Sequence, residues 1–184
     1  MLVIFVGKIG SGKTAAANIL KKYSFEEETF AEPIKQFLLL LGFKYEEVYG
    51  SQEEKLKVNT FWNISGREFM QKFATDLMRN QLQSVLPQLD LGGSTVWVRA
   101  MEKKIQDNLD KNIVIGDGRF PDEINLIKKY SGIVIKIIRH NGPNKFDSKH
   151  ESESYFDSIV PDYEIINDGT FEDLENKIKS ILNL

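Results

Sequence analysis

The fold is decided by Leu2-Val3-Ile4-Phe5-Val6-Gly7-Lys8-Ile9-Gly10-Ser11-Gly12-Lys13-Thr14, an apolar run followed directly by a G-x-x-x-x-G-K-[ST] motif. Residues 2–6 predict a buried strand, and residues 15–22, which are rich in alanine and lack Gly and Pro, predict a helix. A loop between a strand and a helix is the setting in which this motif binds phosphate. A glycine-rich turn without a ligand is the plainer alternative, and both flanks argue against it. The stretch therefore predicts a phosphate-binding loop.

The residue types of this loop suit a polyphosphate. Its glycines let backbone N–H groups point at phosphate oxygens, and the helix N-terminus adds a partial positive charge. Lys13 is expected to reach the β- and γ-phosphates, and the Thr14 hydroxyl is expected to ligate Mg²⁺. We therefore expect ATP and Mg²⁺ as cofactors. The loop residues expected to bind them are Gly7, Lys8, Gly10, Ser11, Gly12, Lys13 and Thr14.

Two later apolar runs predict further strands of the same sheet. Residues 112–116 are followed by Asp117, and residues 133–138 are followed by Arg139. Strands that alternate with helices indicate a parallel sheet, in which ligands collect at the carboxyl ends of the strands. An apolar strand ending in aspartate fits a carboxylate that holds Mg²⁺ directly or through water. Asp117 is therefore a second candidate metal ligand besides Thr14.

The composition limits the class of protein. The chain has 184 residues, of which 41% are hydrophobic, so it can bury one sizeable core. Its net charge of −3 argues against a surface devoted to nucleic acid, and no stretch is long and apolar enough to span a bilayer. It has no cysteine and only two histidines, which argues against a thiolate or zinc site. We expect a soluble cytoplasmic protein with a small-molecule substrate; its oligomeric state, a homodimer included, stays open.

The segment between the predicted strands at residues 2–6 and 112–116 has a mainly helical pattern. Residues 33–41 open with proline and repeat apolar side chains at helical spacing. Ser65 and Glu68 form a capping-box pattern at the start of another helix. Arg67 then opposes the dipole of that helix, which leaves two explanations open, a functional contact or a solvated side chain. Residues 45–59 mix charges with turn residues and predict a surface excursion without an assigned role.

Two further features can be structural or functional. Trp97 opens a helix, and a tryptophan at such a position is more often core than ligand contact, although Arg99 follows closely. Residues 139–154 are polar and rich in turn residues, which fits either a flexible loop or a lid that closes over a nucleotide. We favour the lid, because the segment follows a strand that leads to the predicted site.

An ordered set of motifs carries a family resemblance. The set is Phe30-Ala31-x-Pro33-Ile34-Lys35, Gly66-Arg67 with Gln71, Asp117-x-Arg119-Phe120-Pro121-x-Glu123, His150-x-Ser152-Glu153 and Asn167-Asp168-Gly169-Thr170. With the phosphate loop, it resembles the deoxynucleoside monophosphate kinases of bacteriophages and large DNA viruses over nearly the whole chain. The resemblance implies one α/β P-loop kinase domain, residues 1–184, with a parallel sheet flanked by helices. It also implies a helical monophosphate-binding insertion at about 30–110 and a lid at about 139–156.

The resemblance also implies roles for individual residues. Lys13, Asp117, Arg119 and Arg139 would act on the phosphoryl groups, and Asn167, Gly169 and Thr170 would hold the adenine of ATP. The substrate side would comprise Lys35, Arg67, Gln71, Trp97, Arg99, Arg119, Glu123, His150 and Glu153. The departure from the family pattern is Gly118, where we expect a bulkier residue.

The predicted reaction is transfer of a phosphoryl group from Mg-ATP to a deoxynucleoside monophosphate. A phosphate monoester is already an anion at pH 7, so the reaction needs positioning and charge neutralisation rather than a strong base. Arginines suit that need because guanidinium pairs bidentately with phosphate. Two alternatives stay open: a P-loop kinase of another metabolite, such as dephospho-coenzyme A or phosphomevalonate, and a regulator that binds nucleotide without catalysis. If the chain is viral, the host cytoplasm is its expected location.

Overall fold

The computed structural model describes residues 1–140, 155 and 158–184, and these fall into two units. The first unit takes Met1–Phe30 and Met101–Leu184, and the second takes Ala31–Ala100. The strands are β1 (Leu2–Val6), β2 (Phe25–Glu28), β3 (Val58–Asn59), β4 (Ile64–Ser65), β5 (Asn112–Gly118), β6 (Ile133–Ile138) and β7 (Tyr163–Ile166). The helices are α1 (Lys13–Lys21), α2 (Glu32–Leu40), α3 (Tyr45–Tyr49), α4 (Gln52–Leu56), α5 (Gly66–Gln71), a π-helix (Lys72–Arg79), α6 (Leu82–Val85), α7 (Val96–Asp107), α8 (Pro121–Lys129) and α9 (Phe171–Leu182).

A five-stranded parallel sheet in the order β2-β5-β1-β6-β7 forms the first unit. Its central strand β1 is buried along its whole length because it has a paired strand on each side and helices packed against it, and Ile4 pairs with Ile115 of β5 and Val134 of β6. Such burial explains why the three inner strands are near-continuous apolar runs. The predicted parallel sheet flanked by helices is confirmed.

The core of the first unit lies between the sheet, α1 and α9. Val3 and Phe5 of β1 pack with Leu20 of α1 and Ile178 of α9. Helix α8 packs against β1 and β6. A Cβ on Gly118 would lie 2.5 Å from Ile4 Cδ1, so the adjoining strand fills the space that a bulkier residue would need. The departure at position 118 therefore has a packing reason.

The second unit has its own, largely aromatic core. Its fully or nearly fully buried apolar residues are Ile34, Leu38, Phe43 and Val48. The rings of Phe37, Phe69 and Phe73 pack around them, with centroids 5.1 Å apart for Phe37–Phe73 and 5.6 Å for Phe69–Phe73.

Two local predictions about this unit need correction. Residues 45–59 are not a simple surface excursion, because they form α3 and α4 and because Val48 is fully buried. The predicted capping box forms only in its forward half, since Glu68 N donates to Ser65 Oγ at 3.1 Å. The Glu68 carboxylate pairs with Lys72 Nζ at 2.8 Å rather than returning to the Ser65 amide.

Most of the predicted lid lies outside the described residues. Of residues 139–156, the structure describes 139, 140 and 155, so the candidate substrate residues His150 and Glu153 are not covered. Within the described ranges, no helix combines the length and apolar character needed to cross a membrane.

Candidate functional site

The loop between β1 and α1 has the backbone of a phosphate cradle. Gly10 and Gly12 adopt φ angles of 79° and 109°, a left-handed conformation that glycine tolerates best. Ser11 N donates to Lys8 O at 3.1 Å and closes a turn. A Cβ on Gly7 would lie 2.4 Å from Ser11 Oγ, so this close wrapping also requires glycine. The three predicted glycines are therefore explained by the geometry of the loop.

Two features leave this cradle suited to an anion. Helix α1 starts after Gly12 without a side-chain cap and without an acidic residue in its first turn, so its first N–H groups face no carboxylate of their own helix. The hydroxyl of Ser11 is buried, and the described residues offer it no hydrogen-bond partner. The N–H groups of a helix start, a helix dipole and a hydroxyl donor together match the oxygens of a phosphate.

Lys13 is nearly buried at the base of the loop. Its Nζ donates to Lys8 O at 2.9 Å and also to Gly7 O. Because a buried ammonium needs hydrogen-bond acceptors, these carbonyl oxygens hold the charge inside the cradle. A bound phosphate offers stronger acceptors to the same group.

Asn167 fastens the loop from the carboxyl end of β7. Its Nδ2 donates to Ser11 O at 2.8 Å, and its backbone N donates to Ile138 O at 2.7 Å. A Cβ on Gly12 would lie 2.3 Å from Asn167 Nδ2, which shows how closely the amide covers the loop. The described contacts of Asn167 support the loop; its role toward adenine stays a prediction.

The turn after Asn167 is shaped by the cap of α9. Thr170 Oγ1 accepts from Asp173 N at 3.1 Å, and Asp173 Oδ2 accepts from Thr170 N and Oγ1 at 2.8 Å. These bonds hold the pKa of Asp173 below its ordinary value. A Cβ on Gly169 would lie 2.5 Å from Asp173 Oδ2. Gly169 and Thr170 therefore fix the conformation of this turn, and any contact with adenine stays a prediction.

A histidine that the sequence reasoning did not select joins the same turn. His140 N donates to Asp168 Oδ1 at 2.9 Å, and His140 Nδ1 lies 2.7 Å from Asp168 Oδ2. The pair links the residues after β6 to those after β7. Its partners are 28 positions apart in the chain, so spacing in the sequence gives no signal for it.

Asp117 lies at the edge of the sheet from which the loop departs. Strand β5 pairs with β1 up to Gly118 and Val6, so Asp117 and the start of the loop share one end of the two strands. Asp117 Oδ1 accepts from Phe30 N at 3.0 Å, which fixes the carboxylate at that end. The oxygen donors of Asp117 and Thr14 are of the kind that Mg²⁺ prefers. Among the described residues, no group of three or more His, Cys, Asp or Glu side chains could hold a metal.

Glu123 organises the backbone around Arg119. Its buried Oε2 accepts from Arg119 N at 2.7 Å and from Phe120 N at 3.1 Å, which caps α8. The carboxylate thus supports the chain that carries Arg119, and its contact with substrate stays a prediction. Arg139, at the end of β6, is exposed.

In the second unit, Arg67 and Gln71 lie one turn apart on α5, on the same face of the helix. Arg67 Nη1 donates to Gln52 Oε1 of α4. Trp97 Nε1 donates to Ala74 O at 2.8 Å, and its ring packs against the aromatic core. These contacts agree with a core position for Trp97, the first of the two interpretations given above. Arg99 is exposed.

Lys35 belongs to a small polar network in the second unit. Its Nζ lies 5.1 Å from the centroid of the Tyr49 ring. Tyr49 Oη donates to Glu32 Oε1 at 2.7 Å, and burial together with this carboxylate raises the pKa of Tyr49 to about 12. The hydrogen bond from this phenol to Glu32 links α3 to α2 beside the lysine.

A five-stranded parallel sheet with a phosphate loop between its central strand and first helix defines a P-loop kinase fold. Shikimate kinase from Aquifex aeolicus vf5 shares it, with 12% identity and a TM-score of 0.50, over 100% of this chain and 96% of that chain. A sugar kinase from Janibacter sp. HTCC2649 also shares it, with 13% identity and a TM-score of 0.50, over 99% and 94%.

The sequence comparisons are more specific. Residues 42–178 match the family described as deoxynucleotide monophosphate kinase. A protein of Acanthamoeba polyphaga mimivirus, provisionally named a deoxynucleotide monophosphate kinase, is 33% identical over 193 aligned residues that cover 100% of this chain and 96% of the relative. The chain therefore belongs to the deoxynucleotide monophosphate kinase family, and the predicted family resemblance is confirmed.

Proposed function

We propose that this protein transfers the γ-phosphoryl group of ATP to a deoxynucleoside monophosphate, giving ADP and a deoxynucleoside diphosphate. The observation that carries the proposal is the fully formed phosphate loop, with Lys13 buried at its base, in a chain of this family. A regulator that only binds nucleotide has no comparable support from the family.

On the donor side, the residues of the loop bind and orient the polyphosphate. Lys13 Nζ exchanges the carbonyl oxygens of Gly7 and Lys8 for phosphate oxygens when nucleotide binds. The first N–H groups of α1 and the buried hydroxyl of Ser11 donate to the same anion. Asn167 keeps the loop in shape through its bond to Ser11 O. ATP therefore meets hydrogen-bond donors that are already positioned, which lowers the reorganisation needed for phosphoryl transfer.

Thr14 and Asp117 would hold Mg²⁺, which would neutralise negative charge on the transferred group. The bond from Phe30 N to Asp117 Oδ1 keeps one carboxylate oxygen in place. Arg119 and Arg139 add cationic hydrogen-bond donors for the phosphoryl oxygens.

On the acceptor side, the second unit binds the monophosphate. Arg67 and Gln71 on α5 offer a guanidinium and an amide on one helix face, and Lys35 and Arg99 add positive charge. The acceptor oxygen is already anionic near pH 7, so these residues need only bind and orient it. The assignment of residues 30–110 to acceptor binding and of 139–156 to a lid is part of this proposal.

A coupled assay of ADP formation tests the proposal. The acceptors are the four common deoxynucleoside monophosphates, their ribonucleotide counterparts, dephospho-coenzyme A and phosphomevalonate, each at equal concentration. At least one deoxynucleoside monophosphate should raise the rate well above the rate without acceptor, and Lys13→Ala should abolish that increase. Stimulation by dephospho-coenzyme A or phosphomevalonate alone would favour the other metabolite kinases. No stimulation by any acceptor would contradict the proposed function.

A further inference from the structure

Arg67 is held by a side chain from a segment to which the sequence assigns no role. Its Nη1 donates to Oε1 of Gln52, the first residue of α4, and both side chains belong to partly buried residues. Helices α4 and α5 pack against each other, so this bond joins two neighbouring helices of the second unit. Residues 45–59 therefore reach Arg67 directly.

The position of Gln52 is itself fixed by the cap of α4. Ser51 Oγ accepts from Glu54 N at 3.2 Å, and Glu54 Oε2 accepts from Ser51 N at 2.7 Å. Hydrogen bonds to the Glu54 carboxylate from the Ser51 amide and then from the Ser51 side chain hold the pKa of Glu54 below its ordinary value. Gln52, the next residue after the cap, is thus presented toward α5 from a well-defined helical start.

The other helix of the segment holds the start of α5. A Cβ on Gly66 would lie 2.2 Å from Glu47 O and 3.1 Å from Glu47 C, so the backbone of α3 touches the residue before Arg67. The Glu47 carboxylate accepts from Lys44 N at 2.7 Å and from Asn59 Nδ2 at 3.0 Å, which ties α3 to β3. The pair Gly66-Arg67 is therefore supported from behind by α3 and at the guanidinium by α4.

We propose that Gln52 is a positioning residue, which orients the Arg67 guanidinium for the acceptor phosphate, and that helix α3 and the cap of α4, made by Ser51 and Glu54, form its support. The inference rests on the proposed function, in which Arg67 binds the monophosphate. An arginine side chain loses rotamer entropy when it is fixed. A bond formed before the substrate arrives removes part of that loss from the binding step.

The chemistry of the amide explains why a glutamine suits this position. Its oxygen accepts one guanidinium N–H and sets the direction of the fork, but it brings no charge of its own. A glutamate there would accept the same N–H and would also compete with a phosphate dianion for the guanidinium. Gln52 thus supplies orientation without contributing to neutralisation of Arg67.

Two variants of Gln52 test the proposal, with Glu53→Gln as the control for a charge change on the same helix at an exposed position. Gln52→Met keeps the length of the side chain and removes the acceptor. We expect it to raise KM for the monophosphate about fivefold, the scale of the net loss of one typical hydrogen bond, with kcat and KM for ATP nearly unchanged. Gln52→Glu should raise the same KM by more than Gln52→Met, and Glu53→Gln should leave it unchanged.

A double-mutant cycle decides between positioning and general support. In an Arg67→Ala background, Gln52→Met should have no further effect on KM, because the group that it orients is gone. The proposal would be overturned if Gln52→Met had the same effect on KM for the monophosphate in the Arg67→Ala background as in the wild type. It would also be overturned if Gln52→Met changed both KM values and kcat equally and lowered the urea midpoint. A third contradicting result is that Arg67→Ala raises KM for the monophosphate but Gln52→Met leaves it unchanged. A wild-type protein without activity on any monophosphate would instead refute the proposed function, so the two failures are distinguishable.

Discussion

Replacing Gly12 by alanine tests two requirements of the phosphate loop at this position, a left-handed backbone and space for the Asn167 side chain. Gly12 has a φ of 109°, and a Cβ there would lie 2.3 Å from Asn167 Nδ2. Gly42, after α2, is a matched control, because its φ is 87° and a Cβ there would have no neighbour within 4 Å. Both substitutions impose left-handed strain, but only Gly12→Ala displaces a neighbouring side chain.

The difference in stability follows from these contacts. Left-handed strain on alanine costs about 1–2 kcal/mol, of which about 0.4–1 kcal/mol is offset by the less flexible unfolded chain. We therefore expect Gly42→Ala to lower the free energy of unfolding by about 1 kcal/mol. In Gly12→Ala, the Asn167 amide must also leave Ser11 O, which adds about 0.5–1.5 kcal/mol for the lost hydrogen bond. The expected total for Gly12→Ala is about 2 kcal/mol.

Nucleotide binding should separate the two variants further. Gly12→Ala reshapes the loop, so we expect its Kd for ATP to rise about tenfold or more, whereas Gly42→Ala should leave that Kd within about twofold of wild type. Urea unfolding and isothermal titration calorimetry measure the two quantities. If Gly12→Ala costs no more stability than Gly42→Ala, or if adding Asn167→Ala fails to remove the excess cost, the assigned contact between Asn167 and the loop is wrong.

Four further outcomes can be measured on single variants. Lys13→Ala should abolish turnover with an unchanged circular dichroism spectrum, because Lys13 Nζ bonds to backbone carbonyls of the loop. Asp117→Asn should lower kcat by about a hundredfold, the scale of losing one preorganised electrostatic contact, and single-turnover kinetics would show it. Leu38→Ala, in the fully buried core of the second unit, should cost about 2–5 kcal/mol of stability in urea. The Thr170 amide and then the Thr170 hydroxyl lower the pKa of Asp173, and Thr170→Val removes only the hydroxyl; its loss of stability in urea should therefore be larger at pH 7 than below about pH 4.

The sequence predicts the parts of this fold that local patterns determine. Residues 2–6 lie in β1, and the apolar runs 112–116 and 133–138 lie in β5 and β6, as predicted from the sequence. Asp117 could be placed at the carboxyl edge of a parallel sheet from the strand that precedes it. These features depend on periodicity and on short motifs, which are readable without any tertiary contact.

The features that the sequence does not predict depend on distant contacts. Val48 is the only aliphatic residue of the five-residue helix α3, so this helix leaves no periodic signal, and the burial of Val48 appears only in the folded unit. Glu68 has two local choices, the Ser65 amide and Lys72, and the sequence pattern does not decide between them. The bond of Gln52 to Arg67 and the pair of His140 with Asp168 join residues 15 and 28 positions apart.

The most direct test of the central claim follows the fate of the transferred phosphoryl group. ATP labelled at the γ-phosphate is incubated with Mg²⁺, the protein and the preferred deoxynucleoside monophosphate, and the products are separated by anion-exchange chromatography. The account predicts that the label appears in the β-phosphate of the deoxynucleoside diphosphate, in an amount equal to the ADP formed, and that Lys13→Ala forms none. Label released only as inorganic phosphate, or retained in ATP with every monophosphate tried, would contradict it.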